Sequence, residues 1–313
     1  MSSEAVAVVP EPKRPVAAPG RVLLAAAFTV VAWASAFVVI RFVGHDFSAG
    51  ALSLGRLTVG SVCLSVVMLI GRRWVPMNRR DWSLVALIGV LWFGVYNVAL
   101  NAGEQHVDAG TAAMLIQLAP IMIGVLAGVL LGEGFPRMLV IGGLVAFAGT
   151  VIIGVASGTG HADLGGVLLV LLAAVVYATA VVAQKVVLRR IPGLQVTWLA
   201  CLIGTLTCLP FLPSLVADLG TASPGATAGI VYLGAVPTAA AFLTWAYALT
   251  RSDAGRLGAT TYAVPPIAIA LGWIFLGEVP ALLAVVGGVV SLVGVAIARR
   301  PPKRPAATPD KVS

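Results

Sequence analysis

The sequence predicts an all-α polytopic membrane protein of about ten transmembrane helices, arranged as two inverted five-helix repeats. Three observations carry this expectation. Of the 313 residues, 59% are hydrophobic and 10% charged, with mean hydropathy +1.02. A water-soluble domain is about 25% charged, so this chain cannot cover its surface with polar side chains. Apolar runs of roughly 20 residues recur, each long enough to cross a bilayer as a helix. Finally, the stretch DAGTAAMLIQLAPIMIGVLAGVLLGE, Asp108 to Glu133, returns as DAGRLGATTYAVPPIAIALGWIFLGE, Asp253 to Glu278. Asp108/Asp253, Gly110/Gly255, Pro120/Pro265, Gly132/Gly277 and Glu133/Glu278 all differ by 145. A repeat of this length sets the architecture before other features are read.

The elements follow in order. Residues 1–20, rich in Pro, Ala and Val with Lys13 and Arg14, read as a disordered cytoplasmic tail. A cleavable signal peptide competes with that reading. The first apolar run, Val22 to Ile40, is too long for a signal h-region, and no clear small-x-small cleavage site follows. Spans are expected at 21–41, 50–70, 82–102, 109–131 and 138–156, forming a first repeat over 21–156. A second repeat over 164–298 holds spans at 164–187, 194–216, 226–249, 255–276 and 281–298. The loops between them leave no room for a soluble domain. Residues 299–313, RRPPKRPAATPDKVS, read as a basic cytoplasmic tail. The repeat also ties the fifth spans, through Gly142/Gly287, Gly143/Gly288 and Gly149/Gly294. At an offset of 144 it ties the first spans, through Trp33/Tyr177, Ser35/Thr179 and Arg41/Lys185.

Charge sets orientation. With the N-terminus cytoplasmic, 18 of the 20 Lys and Arg residues fall on the cytoplasmic side; the exceptions are Arg41 and Arg56. So lopsided a split places both termini inside. Five helices per repeat is an odd number, so the second repeat must enter from the opposite face. That inversion is the structural basis of alternating access. The net charge of +8 sits between apolar runs, which argues for topology and against nucleic acid. Cys63, Cys201 and Cys208 all lie inside apolar runs without metal-type spacing, and read as free thiols.

These residues resemble a known family. Trp33-Ala34-Ser35 followed by Arg41, Arg56 in the second span, and two small-residue spans ending in Leu-Gly-Glu are similar to the EamA-type transporters of the drug/metabolite transporter superfamily. The resemblance covers nearly all of the chain between the tails. Trp33-Ala34-Ser35 replaces the Trp-Gly-Ser common in the family. The resemblance implies a carrier for small metabolites, commonly amino acids or related compounds moved outward, in the cell (inner or plasma) membrane. It names no substrate.

Candidate site residues come from polar groups in apolar surroundings. Pro120 and Pro265 are expected near the middle of equivalent helices, as hinges. Proline removes a backbone donor and frees the carbonyl four residues earlier, which in lipid needs a partner or a wet cavity. Gln117, Thr261 and Tyr262 would line that break, unless the prolines are packing kinks. Arg56 is the one charge well inside a span. It is either a ligand for a substrate carboxylate or phosphate, or a snorkelling side chain. Arg41 and Lys185 read as interfacial anchors, or as entrance charges at opposite faces. Trp33, Ser35, Asn97, Asn101, Tyr177, Thr179 and Trp245 complete the candidate cavity. Asn97 and Asn101 share a helix face, and each of these groups can equally bond helix to helix. The fifth-span glycines suit close packing or a dimer seam.

No carboxylate or His lies at mid-membrane, which argues against a proton/cationic-drug exchanger. No Ser/His, Asp/Asp or His/Glu cluster lies within the spans, so an enzyme is not expected, nor a cofactor or metal. The leading reading is an alternating-access exporter of small metabolites, monomer or homodimer, whose partners are its substrate and the bilayer. The alternative is a lipid-headgroup flippase or a non-catalytic membrane partner.

Overall fold

A computed structural model describes residues 19–71, 74–104, 106, 115–157, 163–277 and 279–300. Most of both expected tails, Arg72, Arg73, residues 107–114 with the first part (109–114) of the fourth expected span, and Glu278 lie outside these residues. So does the side chain of Asn101.

Every regular element among the described residues is helical. The first half contains α1 (Pro19–Val43), α2 (Ala49–Gly71), α3 (Arg79–Ile88), α4 (Tyr96–Glu104), α5 (Ala119–Leu130) and α6 (Arg137–Ser157). The second contains α7 (Leu164–Val187), α8 (Gly193–Thr207), α9 (Leu212–Thr221), α10 (Pro224–Leu233), α11 (Ala241–Leu249), α12 (Ala254–Ala259), α13 (Val264–Leu276) and α14 (Leu282–Ala298). Seven segments are long and apolar enough to cross a membrane. In addition, α5 and α14 are shorter apolar helices, and α8 pairs with Leu209–Thr221 at a bend of 51°.

That bend corrects the expectation of one uninterrupted span at 194–216. Pro210, in the turn Leu209–Phe211, has no N–H to continue the ladder. The α8 helix closes instead at Cys208, whose N–H reaches Gly204 O at 3.0 Å.

Local chemistry sets the other boundaries. Asn78 and Asp81 form a reciprocal capping box that opens α3. Ser223 caps α10, with Pro224 in its first turn. Gly132 and Gly277 both adopt left-handed backbone, φ 70° and 69°, which a residue without Cβ enters freely. Each turns the chain out of the small-residue helix that precedes it.

Two spans are interrupted by π-helical turns, Gly89–Val95 between α3 and α4 and Gly234–Ala240 between α10 and α11. The prolines expected mid-helix stand at helix starts within broken spans. Pro120 opens α5 after a turn at Gln117–Leu118, and Pro265 opens α13 after the 3-10 turn Thr260–Ala263.

The halves interlock. α1 packs on α11 and α13, while α7 packs on α4 and α5; α2 packs on the second π turn, and α8 on the first. The longest seam joins α6 to α14. There a Cβ on Gly142 would lie 2.2 Å from Ala298 N, and one on Gly149 2.3 Å from Ser291 N. The glycine faces read as packing or a dimer seam are therefore packed against each other within one chain.

Candidate functional site

The site is built around the second π turn. Pro237 lies inside it and cannot donate to Leu233 O. The neighbouring Thr238 hydroxyl donates to that carbonyl instead, at 2.8 Å. Thr238 Oγ1 in turn accepts from Arg56 Nε on α2, at 3.2 Å. Gly234 lets the two elements meet, since a Cβ there would lie 2.6 Å from Arg56 O. Arg56 is half-buried, and no carboxylate among the described residues lies within ion-pair distance of it. A guanidinium has five N–H donors, and one bond to Thr238 leaves most of them for another acceptor.

Beside this pair lies an aromatic cluster from four helical segments. Trp33 packs against Trp245 and Phe242, with ring centroids 5.1 and 5.5 Å apart. Trp92, in the first π turn, lies 4.9 Å from Phe242 and 5.1 Å from Tyr177. The indole N–H of Trp33 donates to Pro237 O at 3.2 Å, so the cluster is tied to the turn that holds Arg56. The Trp245 N–H is taken up by buried Gln184 at 3.1 Å, which makes Trp245 a packing anchor at its polar end.

Tyr177 connects the cluster to the two broken helices. Its ring is 5.8 Å from Tyr96. Its hydroxyl is buried beside Thr261 and makes no hydrogen bond of good geometry among the described residues. Gln117 Nε2 donates to Thr261 O at 3.3 Å, joining the break before α5 to the turn before α13. Buried hydroxyls are rarely left unpaired, and the Tyr262 hydroxyl is buried without a partner as well.

The structure thus brings together Trp33, Arg56, Gln117, Tyr177 and Thr261. Other candidates are placed elsewhere. Ser35, on a different face of α1 from Trp33, bonds the Tyr232 hydroxyl at 2.7 Å. Thr179 bonds its own helix at Val175 O. The Asn97 amide donates to Phe93 O at 2.8 Å and Trp92 O at 3.3 Å, serving the carbonyls of the first π turn. Tyr262 points into a separate packing group with Phe147, Ala146 and Ala298. Lys185 is more than an interfacial anchor: its Nζ reaches Leu249 O at 2.6 Å and Ser252 O at 2.5 Å, at the end of α11.

Thr238, Trp92 and Phe242 were not legible as site residues. Pro237 was the available signal, a proline inside the expected span 226–249 that marks a local break. No group of three or more His, Cys, Asp or Glu side chains among the described residues could hold a metal ion.

Comparison with known proteins gives this geometry a context. The model of the EamA-like transporter family matches the chain twice, over residues 20–155 and 164–300. A "Probable terminal-alkyne amino-acid exporter" of Streptantibioticus cattleyicolor is 41% identical over 287 residues, covering 90% of this chain and 96% of the relative. The "Uncharacterized transporter YdfC" of Bacillus subtilis is 30% identical over 275 residues, covering 88% and 90%. A solved crystal structure superposes with TM-score 0.74 at 19% identity, covering 90% of this chain and 97% of that one, and shares the fold. These relatives are named as transporters, not enzymes. With two family matches spanning most of its length, the chain belongs to the EamA-like transporter family, a family of multi-pass membrane transporters.

Proposed function

We propose that this transporter exports small amphipathic amino acids or related carboxylates across the cell membrane by alternating access. Ten spans would form two inverted five-helix repeats, with both termini cytoplasmic. The observation that carries the reading is Arg56, a half-buried guanidinium within a span with one bond to Thr238 and no carboxylate partner among the described residues. A charge at that depth costs a few kcal/mol unless paired or wet, and a substrate carboxylate would pair it bidentately. The aromatic cluster around Trp33 and Tyr177 suits an apolar substrate side chain. The amino-acid exporter named among the relatives supports substrate class and direction together.

Inversion has independent support in the packing. Gly89 approaches Ala200 O and Ile203, while Gly234 approaches Arg56 O and Val59. The two sets map onto each other at the repeat offsets of 144 and 145. Exchanging the halves turns one set of contacts into the other, as a pseudo-twofold relation between the repeats requires.

The test is an untargeted comparison of metabolites in the medium of overexpressing and deleted cells. Carboxylates with apolar side chains should accumulate outside in the first and fall in the second. A profile unchanged in all amino acids would sink the reading. A lipid-headgroup flippase finds one supporting observation, an apolar groove of about 170 Å³ between α1, the Thr260–Ala263 turn and α14, with Arg299 at its end. Transfer of labelled phospholipid in proteoliposomes, without amino-acid transport, would favour it.

A further inference from the structure

The Glu of the first Leu-Gly-Glu has a specific partner. After α5, Gly132 turns the backbone left-handed and sends Glu133 across to the second half. Its carboxylate accepts from Ala254 N at 2.8 Å and Gly255 N at 3.2 Å, 121 and 122 residues away. Both are free N–H groups at the start of α12, where a negative charge is also favoured by the helix dipole. Gly255 makes the approach possible: a Cβ there would lie 3.3 Å from Gly124 Cα and 3.1 Å from Leu139. On the other side of the same turn, the Lys185 ammonium binds Leu249 O at the end of α11 and Ser252 O in the turn. Asp253, in the same turn, lies 3.5 Å from Arg256 Nε. The turn from Leu249 to Gly255 is therefore held by opposite charges, the acid from the first half and the base from the second.

α12 leads directly into the 3-10 turn that carries Thr261. Glu133 thus fastens the segment bearing a site residue to the opposite half, at the face the charge distribution makes cytoplasmic. Two other clasps also join the halves. Gln195 exchanges two 2.9 Å hydrogen bonds with the Val75 backbone, beside Arg190 on Asp81 at 3.2 Å. Asp218 binds Ser48 and Asp46 binds Ser223 at the opposite face. These clasps relate loops equivalent under the repeat offset and coexist in one conformation, so neither needs to open for the other to close.

We infer that Glu133 is a positioning residue for transport: its bond to the start of α12 closes the cytoplasmic end of the path and breaks when the site opens inward. The inference rests on the alternating-access reading. The test uses the full chain with Cys63, Cys201 and Cys208 replaced by Ser and a reporter Gln117→Cys. A membrane-impermeant maleimide is applied to right-side-out and inverted vesicles. Glu133→Gln should raise labelling from the cytoplasmic face on the order of tenfold, the scale of a lost charge-assisted hydrogen bond, and lower it from the outer face. Glu133→Asp should restore part of the balance. Wild-type rates from both faces in Glu133→Gln would overturn the latch alone. Labelling from a single face in every variant, the reporter chain with Glu133 included, would overturn alternating access with it. Should Glu133→Gln fail to insert, the pair Glu133→Cys with Ala254→Cys decides. Oxidation should stop transport and reduction restore it, and undiminished transport in the cross-linked protein would refute the closure.

Discussion

Arg56 Nε donates to Thr238 Oγ1 at 3.2 Å, joining two residues 182 positions apart and on opposite halves of the chain. The contact gives the buried charge a fixed direction. Thr238 is itself oriented by Leu233 O, to which its hydroxyl donates at 2.8 Å. The helix break and the charge thus meet at one hydroxyl, Thr238 Oγ1, which accepts from Arg56 and donates to Leu233 O.

The unpaired Tyr177 hydroxyl separates binding from stability. A buried hydroxyl without a partner costs about 1–3 kcal/mol, so Tyr177→Phe should leave thermal stability unchanged or raise it. If the hydroxyl meets substrate, KM should rise roughly threefold to tenfold. An unchanged KM would assign Tyr177 to aromatic packing alone.

The α6–α14 seam predicts a folding defect. In Gly149→Val the new Cβ would meet Ser291 N at 2.3 Å, a backbone contact that cannot rotate away. A loss of about 1–3 kcal/mol or more is expected, read as a lower midpoint of thermal unfolding in detergent. An unchanged midpoint with a loss of dimer on size-exclusion would return these glycines to an intermolecular role.

Asp46 gives a pH dependence. Hydrogen bonds from the Ser223 hydroxyl and N–H hold its carboxyl below the ordinary value of 3.8. Its folded-state pKa is lowered, so its contribution is complete above about 3.8 and is lost as pH falls through the folded value. Thermal stability of Asp46→Asn should fall below wild type at pH 6, and the difference should shrink as pH falls below 3.8 towards and through the lowered folded value. A difference that persists there would mean that Ser223 does not favour the ionised form.

Topology is checked with reporter fusions. A fusion after Arg79 should report cytoplasm and one after Thr159 the outside, because 18 of the 20 basic residues then face inward. The same side for both would scramble the span order.

Much of the fold was legible because lipid enforces it. Apolar runs mark helices to within a few residues, as at 164–187 against Leu164–Val187. The π turns were not legible: one extra residue per turn leaves an apolar run apolar. Trp92 and Phe242 gave no signal, since an aromatic residue among aliphatics reads as packing. Asn97 carried too much signal, because an amide in a span looks like a ligand until the carbonyls it serves, Phe93 and Trp92, are seen. Glu133 was visible only as the end of a repeated Leu-Gly-Glu. The N–H groups it caps lie 121 and 122 residues away, and no local pattern announces a partner at that distance.

In the proposed function, Arg56 binds the carboxylate of an exported amino acid. This binding is tested most directly by efflux of a radiolabelled apolar amino acid from preloaded cells, with membrane insertion measured in parallel. Wild type should release label faster than the deleted strain. Arg56→Lys should retain part of that excess, since lysine keeps the charge but loses the fork. Arg56→Ala, inserted normally, should release label at the rate of the deleted strain. Full efflux in Arg56→Ala would contradict carboxylate binding by Arg56 and leave its bond to Thr238 as a structural one.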